Sequence, residues 1–482
     1  MLDLRPILLV NGVLLSLLGL AMLLPMAVDL TVGHSDWKVF LAASGITIFA
    51  GISLTLTNWG LAHSLSVQQA FLLTTLAWVL ATAFGALPFV FSDLRLDYTD
   101  AFFEAMSGLT TTGATVVRGL DNAPPGILLW RALLQWLGGI GIILMAVAIL
   151  PMLQVGGMQL FRLESSDTSE KILPRATQIV GSITLVYVII SALCAIGYGF
   201  AGMSSFEAIA HAMTTIATGG FSTSDQSIAA FNSALIDYTA VIFMILGSLP
   251  FILYLDLLRL KPQPLLKDSQ VRWFLISAFL LTVAMTFYQW SVSANQGWQA
   301  VRLAAFNVVS IMTGTGYATT DYDTWGTFAV VAFFCIMFIG GCAGSTSCGI
   351  KIFRFQVIYS TTWTQIKRMV YPHGVFSAKY NGRVITEDVT SSVMSFFFLF
   401  FVCFSVLAVT LSIIGLEPLT ALSAAASAIA NVGPGLGEMI GPKGTYYLLP
   451  DAAKWVLCLG MLLGRLELFA VLVLFAPSFW RA

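Results

Sequence analysis

Four short segments rich in threonine and glycine interrupt the apolar sequence of this 482-residue chain. They are Thr110-Thr111-Thr112-Gly113, Ala217-Thr218-Gly219-Gly220, Gly314-Thr315-Gly316 and Asn431-Val432-Gly433-Pro434-Gly435. Glycine reaches positive φ angles at no steric cost, so successive carbonyl groups can point the same way. Backbone carbonyls arranged in a ring replace the hydration shell of a cation in selective pores. The four segments therefore indicate a cation pathway, provided that they converge on one axis.

The composition places these segments in a membrane. Hydrophobic residues make up 58% of the chain and charged residues 10%, against about 25% charged in soluble domains. The N-terminus runs directly into an apolar segment with no small-residue cleavage pattern, so no cleavable signal peptide is expected. The histidines are scattered and the cysteine spacings match no metal site. The sequence also contains no nucleotide-binding motif, so any nucleotide control must come from a partner. No enzymatic activity, no organic cofactor on this chain and no nucleic-acid partner are expected.

Hydropathy predicts the membrane-spanning elements, because about 20 apolar residues cross a bilayer as a helix. The predicted spans lie near 7–29, 38–57, 68–92, 127–150, 177–200, 233–258, 273–292, 327–350, 393–415 and 452–478. Four apolar segments are too short to cross, namely 99–112, 204–218, 300–314 and 418–431. Each of them precedes one of the threonine/glycine loops, so we predict four re-entrant half-helices.

A unit of span, half-helix, loop and span is thus predicted to occur four times. The predicted divisions are two N-terminal helices in 1–60 and repeats in 61–160, 161–262, 263–375 and 376–482. The repeats align Phe103-Glu104-Ala105 with Phe206-Glu207-Ala208 and with Phe306-Asn307, and they align the glycines 113, 219, 316 and 433. Two crossings per unit give every copy the same orientation, unlike the inverted repeats of many secondary transporters. The predicted fold is an all-α polytopic membrane protein with four parallel repeats around a central pore.

Lysine and arginine placement predicts the orientation. Basic residues cluster in the connections on one side, at Arg162, Lys171, Arg175, Arg259, Lys261, Lys267, Arg272, Lys367, Arg368, Lys379 and Arg383. Aspartates dominate the other side. Both termini are therefore expected on the cytoplasmic side, with the threonine/glycine loops hanging from the outer face.

Two further features concern the path below the loops. The segment Gly340–Gly349 is too rich in small and polar residues for a stiff helix and reads as an unwound gate, or alternatively as a helix-packing seam. Arg465 lies within an apolar span and must face the protein interior or water. It is either an electrostatic barrier or part of a structural salt bridge, with Glu438 as a possible partner. Glu104, Glu207 and Asn307 are expected to anchor the half-helices by hydrogen bonds.

Several motifs together resemble the TrkH family of bacterial potassium-uptake subunits, within the Trk/Ktr/HKT superfamily. They are Phe102-Phe103-Glu104, Leu109–Val116, Gln135-Trp136-Leu137-Gly138-Gly139, Gly156–Leu160, Gly219–Thr223, Gly340–Thr346, Asn431–Glu438 and Gly464-Arg465-Leu466-Glu467. The resemblance covers nearly the whole chain. It departs from the family pattern at Ser347-Cys348, where glycines are usual, and at the third loop, whose register is uncertain by one residue.

The resemblance implies functional residues and partners. The selectivity filter for potassium maps onto Thr111, Thr112, Gly113, Thr218, Gly219, Thr315, Gly316, Val432 and Gly433. The gating residues map onto Gly340, Gly341, Gly344, Ser345, Thr346, Gly349, Lys351 and Arg465. The resemblance also implies a homodimer in the bacterial inner membrane, with a cytoplasmic nucleotide-binding regulator of the TrkA type.

The expected function is channel-like potassium uptake gated by that regulator. The alternative is a proton- or sodium-coupled potassium symporter, for which Glu104, Glu207 and Glu438 are the candidate titrating groups. A membrane-embedded enzyme would need a nucleophile–base pair or a metal cluster, and a structural scaffold would not account for four matched loops.

Overall fold

The chain is an all-helical membrane protein with one small hairpin in the part that the structure describes. This computed structural model describes residues 3–60, 66–148, 176–292 and 297–480. Within these ranges seven helices are long and apolar enough to cross a membrane, or up to nine spans if each of two bent helix pairs counts as one. The first basic connection, which contains Arg162, Lys171 and Arg175, and the motif Gly156–Leu160 lie outside these ranges.

The two N-terminal spans form a closely packed pair beside the first repeat. They comprise Arg5–Ala21 with Leu23–Val32, and Trp37–Thr57. A Cβ atom on Gly12 would meet the carbonyl oxygen of Gly51, and a Cβ on Gly51 would meet that of Gly12. Small residues thus allow close backbone approach, as is usual between membrane helices.

The four repeats follow in chain order. The first contains Val67–Gly85, Leu87–Phe91, Tyr98–Leu109 and Pro125–Ala148, and the second Ala176–Phe200, Ser205–Ile216, Ala234–Gly247 and Phe251–Leu258. The third contains Ser269–Val292, Trp298–Met312, Thr327–Ile336 and Ile352–Val370, and the fourth Glu387–Ile414, Pro418–Ala430, Asp451–Arg465 and Phe469–Leu472. The short helix Gln263–Lys267 joins the second and third repeats, and the hairpin Lys379–Tyr380 with Arg383–Val384 joins the third and fourth.

The predicted half-helices are confirmed as Tyr98–Leu109, Ser205–Ile216, Trp298–Met312 and Pro418–Ala430. They contain 12, 12, 15 and 13 residues. At about 1.5 Å per residue the longest spans about 22 Å, which is less than the roughly 30 Å thickness of the hydrocarbon core. Each half-helix therefore ends within the membrane and delivers its loop there.

Hydropathy predicts three further spans as continuous helices, and this prediction is wrong. The span 233–258 bends by 98° between Gly247 and Phe251, and the span 452–478 bends by 110° after Arg465. In the span 327–350 the helix ends at Ile336. Pro250 explains the first break, because it lacks an amide hydrogen and disfavours helical backbone before it. The run of small residues from Gly340 onward explains the third.

Hydrogen bonds anchor the half-helices, as the sequence predicts. The Glu104 carboxylate accepts from the backbone amide of Val116 at 2.9 Å and from Arg131 Nε at 2.8 Å. Asn307 Oδ1 accepts from the Thr319 amide at 3.3 Å. Glu207 forms a capping box with Ser204 at the start of its half-helix. The bonds of Glu104 and Asn307 thus connect the residues after the first and third loops to the half-helices that precede those loops.

Replacing Glu104 by alanine should destabilise the protein strongly. Glu104 and Arg131 are 0% and 1% exposed, so the variant leaves the guanidinium buried without its carboxylate. Breaking a buried pair in this way costs about 3–5 kcal/mol. Thermal unfolding in detergent should show a clearly lowered Tm for Glu104→Ala. The matched control Glu417→Ala, at the exposed start of the fourth half-helix, should unfold like the unaltered protein. Equal Tm values for the two variants would contradict this role of Glu104.

Candidate functional site

All four half-helices end in the same hydrogen-bonded turn, which aligns the loops residue by residue. In each loop one amide donates to the carbonyl five residues earlier, at 2.9–3.0 Å, in the pairs Thr112–Ser107, Gly219–Thr214, Thr315–Ser310 and Val432–Ser427. The residue before each of these donors has a positive φ, at Thr111, Thr218, Gly314 and Asn431. So does the residue after each donor, at Gly113, Gly220, Gly316 and Gly433.

This alignment corrects the predicted register of the second loop by one residue. Gly220, rather than Gly219, corresponds to Gly113, and Gly219 occupies the position of Thr112. The third loop, whose register the sequence leaves uncertain, has Gly316 at the equivalent position. The sequence misled because Thr218-Gly219 repeats the Thr-Gly pair of the first loop, whereas the conformation requires glycine one residue later.

The four loops close into a ring. A Cβ atom on Gly113 would lie closer than 3.0 Å to the carbonyl oxygen of Gly219 in the second loop. The same close approach relates each loop to the next, in the pairs Gly220–Thr315, Gly316–Val432 and Gly433–Thr112. The last pair returns to the first loop. The chain order of the repeats is therefore also their order around one axis.

The ring is suited to a cation that has lost its water. The glycines 113, 220, 316 and 433 all line a single cavity next to the loops. The half-helices present their C-terminal ends to the ring, where the helix dipole favours positive charge. Packed backbone carbonyls can replace the hydration shell of a cation. All nine residues predicted for the filter lie in these loops, and Gly220 joins them.

In each repeat a polar side chain of the half-helix forms a hydrogen bond with a residue that follows the loop, and in three repeats this side chain is at the aligned position. The counterpart of Glu104 in the second repeat is His211, eight residues before Gly219, and the predicted match with Glu207 is wrong. His211 Nε2 lies 3.1 Å from Ser222 Oγ. In the fourth repeat the aligned residue is Ala424, and the neighbouring Ser423 Oγ accepts from the Leu436 amide at 3.0 Å. Sequence reasoning missed His211 and Ser423 because their residue types differ from that of Glu104.

The segment Gly340–Gly349 is unwound, as predicted, and lies against residues of several repeats. Thr346 Oγ1 lies within hydrogen-bonding distance of two carbonyl oxygens, those of Ile216 and Gly247, at 2.9 and 2.8 Å. Ser347 Oγ donates to the Thr313 carbonyl at 2.7 Å. Cys348 Sγ lies 3.8 Å from Thr111 Oγ1. The segment thus contacts the ends of the first three half-helices, and the packing-seam alternative, which requires a helix, is wrong.

Two buried cationic side chains are bound to this segment. Lys351 Nζ donates to the Ser347 carbonyl. Arg465, which is 2% exposed, donates to the carbonyls of Thr346 at 3.1 Å and Gly138 at 2.8 Å. Arg465 also ends its helix, where a cation is favoured.

The predicted alternative of an ion pair between Arg465 and Glu438 is wrong. Glu438 is exposed in the loop that follows the fourth glycine. The nearby carboxylate of Glu467 pairs with Arg354 instead. Among the described residues, Arg465 therefore interacts with the carbonyls of Thr346 and Gly138 and with the Cys348 thiol rather than with a carboxylate.

A ring of four re-entrant loops above an unwound, cation-bearing segment defines a membrane protein with a pseudo-fourfold cation pathway. The chain belongs to the TrkH family: the family model, described as a cation transport protein, matches residues 37–482. It is therefore a transport protein and not an enzyme.

Individual relatives match over their full length. The chain is 45% identical to the Trk system potassium uptake protein TrkI of Halomonas elongata, over 99% of this chain and 97% of that protein. It is 37% identical to the Trk system potassium uptake protein TrkH of Escherichia coli K12, over 99% of each. The crystal structure of the potassium transporter TrkH from Vibrio parahaemolyticus matches with a TM-score of 0.92 at 35% identity, over 100% of both chains. These findings confirm the predicted family and fold class.

Asp323 makes the stability of the loops depend on pH. It lies in the turn Tyr322–Trp325 after the third loop, and its Oδ2 accepts from the Gly437 amide at 2.7 Å. Burial raises the pKa of Asp323 to about 6, against the opposing effect of the Gly437 hydrogen bond. A raised carboxyl pKa means that the contribution of this group to stability is complete below pH 3.8 and is lost as the pH rises through about 6.

We therefore expect acidification to favour the unaltered protein over Asp323→Asn, which cannot titrate. The Tm of the unaltered protein minus that of the variant should increase between pH 7.5 and pH 4.5, values that bracket the pKa of about 6. The control Asp121→Asn, at an exposed carboxyl, should show no such trend. A difference that decreases on acidification would contradict the assignment.

Proposed function

We propose that this chain is the ion-translocating subunit of a Trk system and carries potassium into a bacterial cell across its inner membrane. The closed ring of loops is the observation that supports this proposal most directly. The names of the relatives, which are potassium uptake proteins, support potassium as the transported ion. The functional units are residues 61–160, 161–262, 263–375 and 376–482, and residues 1–60 lie outside the ring.

In this proposal potassium loses its water at the loops and binds to their backbone oxygens. The binding residues are Thr111, Thr112, Gly113, Thr218, Gly219, Thr315, Gly316, Val432 and Gly433, with Gly220 added in the second loop. Gly113, Gly220, Gly316 and Gly433 permit the positive φ that turns their neighbours' carbonyls toward the axis. The Thr112 hydroxyl is already hydrogen-bonded within the protein: it lies 2.8 Å from the Thr110 hydroxyl, and Asn431 Nδ2 donates to it at 2.9 Å.

The unwound segment acts as the gate in this proposal. Gly340, Gly341, Gly344, Ser345, Thr346 and Gly349 give it small side chains and backbone freedom, and Lys351 and Arg465 add positive charge below the ring. The passage of a cation is opposed there both by the atoms of the segment and by the positive charges of the two side chains. The resting state is then closed, and a partner subunit must displace the segment.

The regulator is a cytoplasmic nucleotide-binding subunit of the TrkA type, and the translocating subunit is a homodimer with both termini in the cytoplasm. The word system in the names of the relatives supports the presence of partner subunits. The basic connections support the orientation, because positively charged loops are retained in the cytoplasm. They also offer a docking surface for the regulator.

Replacing Gly113 by alanine should abolish potassium uptake. The Cβ atom would collide with the Gly219 carbonyl oxygen and distort the ring. The measurement is rubidium or potassium flux into proteoliposomes, normalised to folded protein. The matched control is Gly33→Ala, because Gly33 has a similar positive φ of 78° against 86° but nothing within 4 Å of the added atom. Normal flux in Gly113→Ala would refute the filter assignment.

Replacing Arg465 by alanine should raise the basal current of the reconstituted chain without its regulator. The variant removes the charge and the hydrogen bonds that hold the Thr346 carbonyl. Single-channel recording in planar bilayers measures the open probability, and unitary currents would also exclude a tightly coupled symporter. Arg465→Lys should retain most of the closure, and the exposed Lys38→Ala serves as a control for loss of one charge. An unchanged open probability in Arg465→Ala would overturn its role as a barrier.

A further inference from the structure

The carbonyl ring has one member without a side chain. The four carbonyls that face the neighbouring glycines belong to Thr112, Gly219, Thr315 and Val432. Gly219 does not have a positive φ, so its backbone conformation would accept an ordinary residue. The space is nevertheless closed, because a Cβ atom on Gly219 would collide with the side-chain amide of Gln135. Gln135 therefore occupies the place of the missing side chain.

Gln135 holds the second loop from the neighbouring repeat. It lies in the span Pro125–Ala148 of the first repeat and is 0% exposed. Its Nε2 donates to the Gly219 carbonyl at 2.6 Å, and its Oε1 accepts from the Phe221 amide at 3.0 Å. The orientation of the amide is fixed, because a backbone amide can only donate and a carbonyl can only accept. One side chain thus fastens the loop on both sides of Gly220.

The equivalent positions in two other repeats have no such donor. Gly138, Gly247 and Gly464 correspond to one another, because a Cβ on each would meet the carbonyl of the same half-helix position, at Leu109, Ile216 and Ile429. Three residues before these glycines stand Gln135, Met244 and Met461. Methionine has no hydrogen-bond donor. The polar residue of this set, Gln135, therefore lies in the span that contacts the second loop, and this is the loop whose ring carbonyl belongs to a glycine.

We propose that Gln135 is a positioning residue for ion selection, which holds the Gly219 carbonyl at its place in the ring. This inference rests on the proposed filter. Two effects follow from the hydrogen bond. The carbonyl cannot swing inward toward a smaller ion, and the donor shares its lone-pair density, so the oxygen is a weaker ligand. Both effects disfavour sodium relative to potassium, because the smaller ion needs closer or stronger ligands.

The first test is the variant Gln135→Met, which copies the residue of the equivalent positions and keeps the length of the side chain. Rubidium uptake into proteoliposomes is measured in competition with potassium and with sodium. We expect the potassium-to-sodium preference to fall about fivefold, which corresponds to the loss of one buried hydrogen bond. The unaltered Tm together with an altered ion ratio distinguishes positioning from a general structural role, which would lower the amount of folded protein without changing the ratio.

The second test uses the contact between the two residues. Gly219→Ser alone should impair uptake, because Gln135 fills the space of the new side chain. Gln135→Ala opens that space, so the double variant should recover uptake relative to the product of the two single effects. This coupling remains measurable even if Gln135→Met folds poorly.

The outcomes separate this inference from the filter on which it rests. Normal flux in Gly113→Ala would mean that the proposed filter itself fails. Loss of flux in Gly113→Ala with an unchanged ion ratio in Gln135→Met would overturn the role of Gln135 alone. Strictly multiplicative effects of Gln135→Ala and Gly219→Ser would also overturn it.

Discussion

The close approach between each loop glycine and a carbonyl of the next loop is the constraint on which the pathway depends. The four approaches run in one direction around the axis and close on themselves. Glycine is required at these positions for two reasons. The backbone has a positive φ, and a Cβ atom would collide with the carbonyl of the next loop. Because every loop is both the neighbour and the support of another, the position of one carbonyl is set by all four repeats. A pathway of this kind tolerates few amino-acid substitutions at the ring glycines and many more at positions away from the ring.

The surrounding elements serve to hold that ring at membrane depth. Glu104, His211, Asn307 and Ser423 tie the loops back to their half-helices with four different chemical groups. Irregular backbone inside a membrane must find its hydrogen bonds within the protein. The break before Pro250 frees the carbonyls of Gly247 and Ser248, and the amides of Thr346 and Cys342 in the unwound segment take them up. The unwound span of the third repeat therefore supplies the hydrogen-bond donors for carbonyls that the broken span of the second repeat leaves free.

Sequence patterns predict the elements of this fold better than its breaks. Hydropathy locates spans and half-helices, because burial in lipid demands apolar length. It does not detect the bends at Ser248–Pro250 and after Arg465, since a bent helix keeps its composition. The loops are recognisable as threonine and glycine, yet their register depends on φ, and Thr218-Gly219-Gly220 offers two readings of the same letters. Gln135 shows the remaining limit: its role is defined by the space left at a glycine in another repeat, 84 residues away.

Three buried basic side chains lie near the unwound segment that we propose as the gate, and their hydrogen-bond partners differ. Arg354 has a carboxylate partner in Glu467, but Lys351 and Arg465 donate to carbonyls of the unwound segment itself. A buried cation needs acceptors, and both side chains find theirs in backbone carbonyls: Lys351 within the segment, and Arg465 in the segment and at Gly138 of the first repeat. Displacing the segment would break the hydrogen bond from Arg465 to the Thr346 carbonyl, but Arg465 would keep the Gly138 carbonyl as an acceptor and Lys351 would move together with Ser347. In the gate that we propose, the small residues of the segment and the charge of Lys351 would therefore move together, whereas Arg465 would stay bound to the first repeat through Gly138.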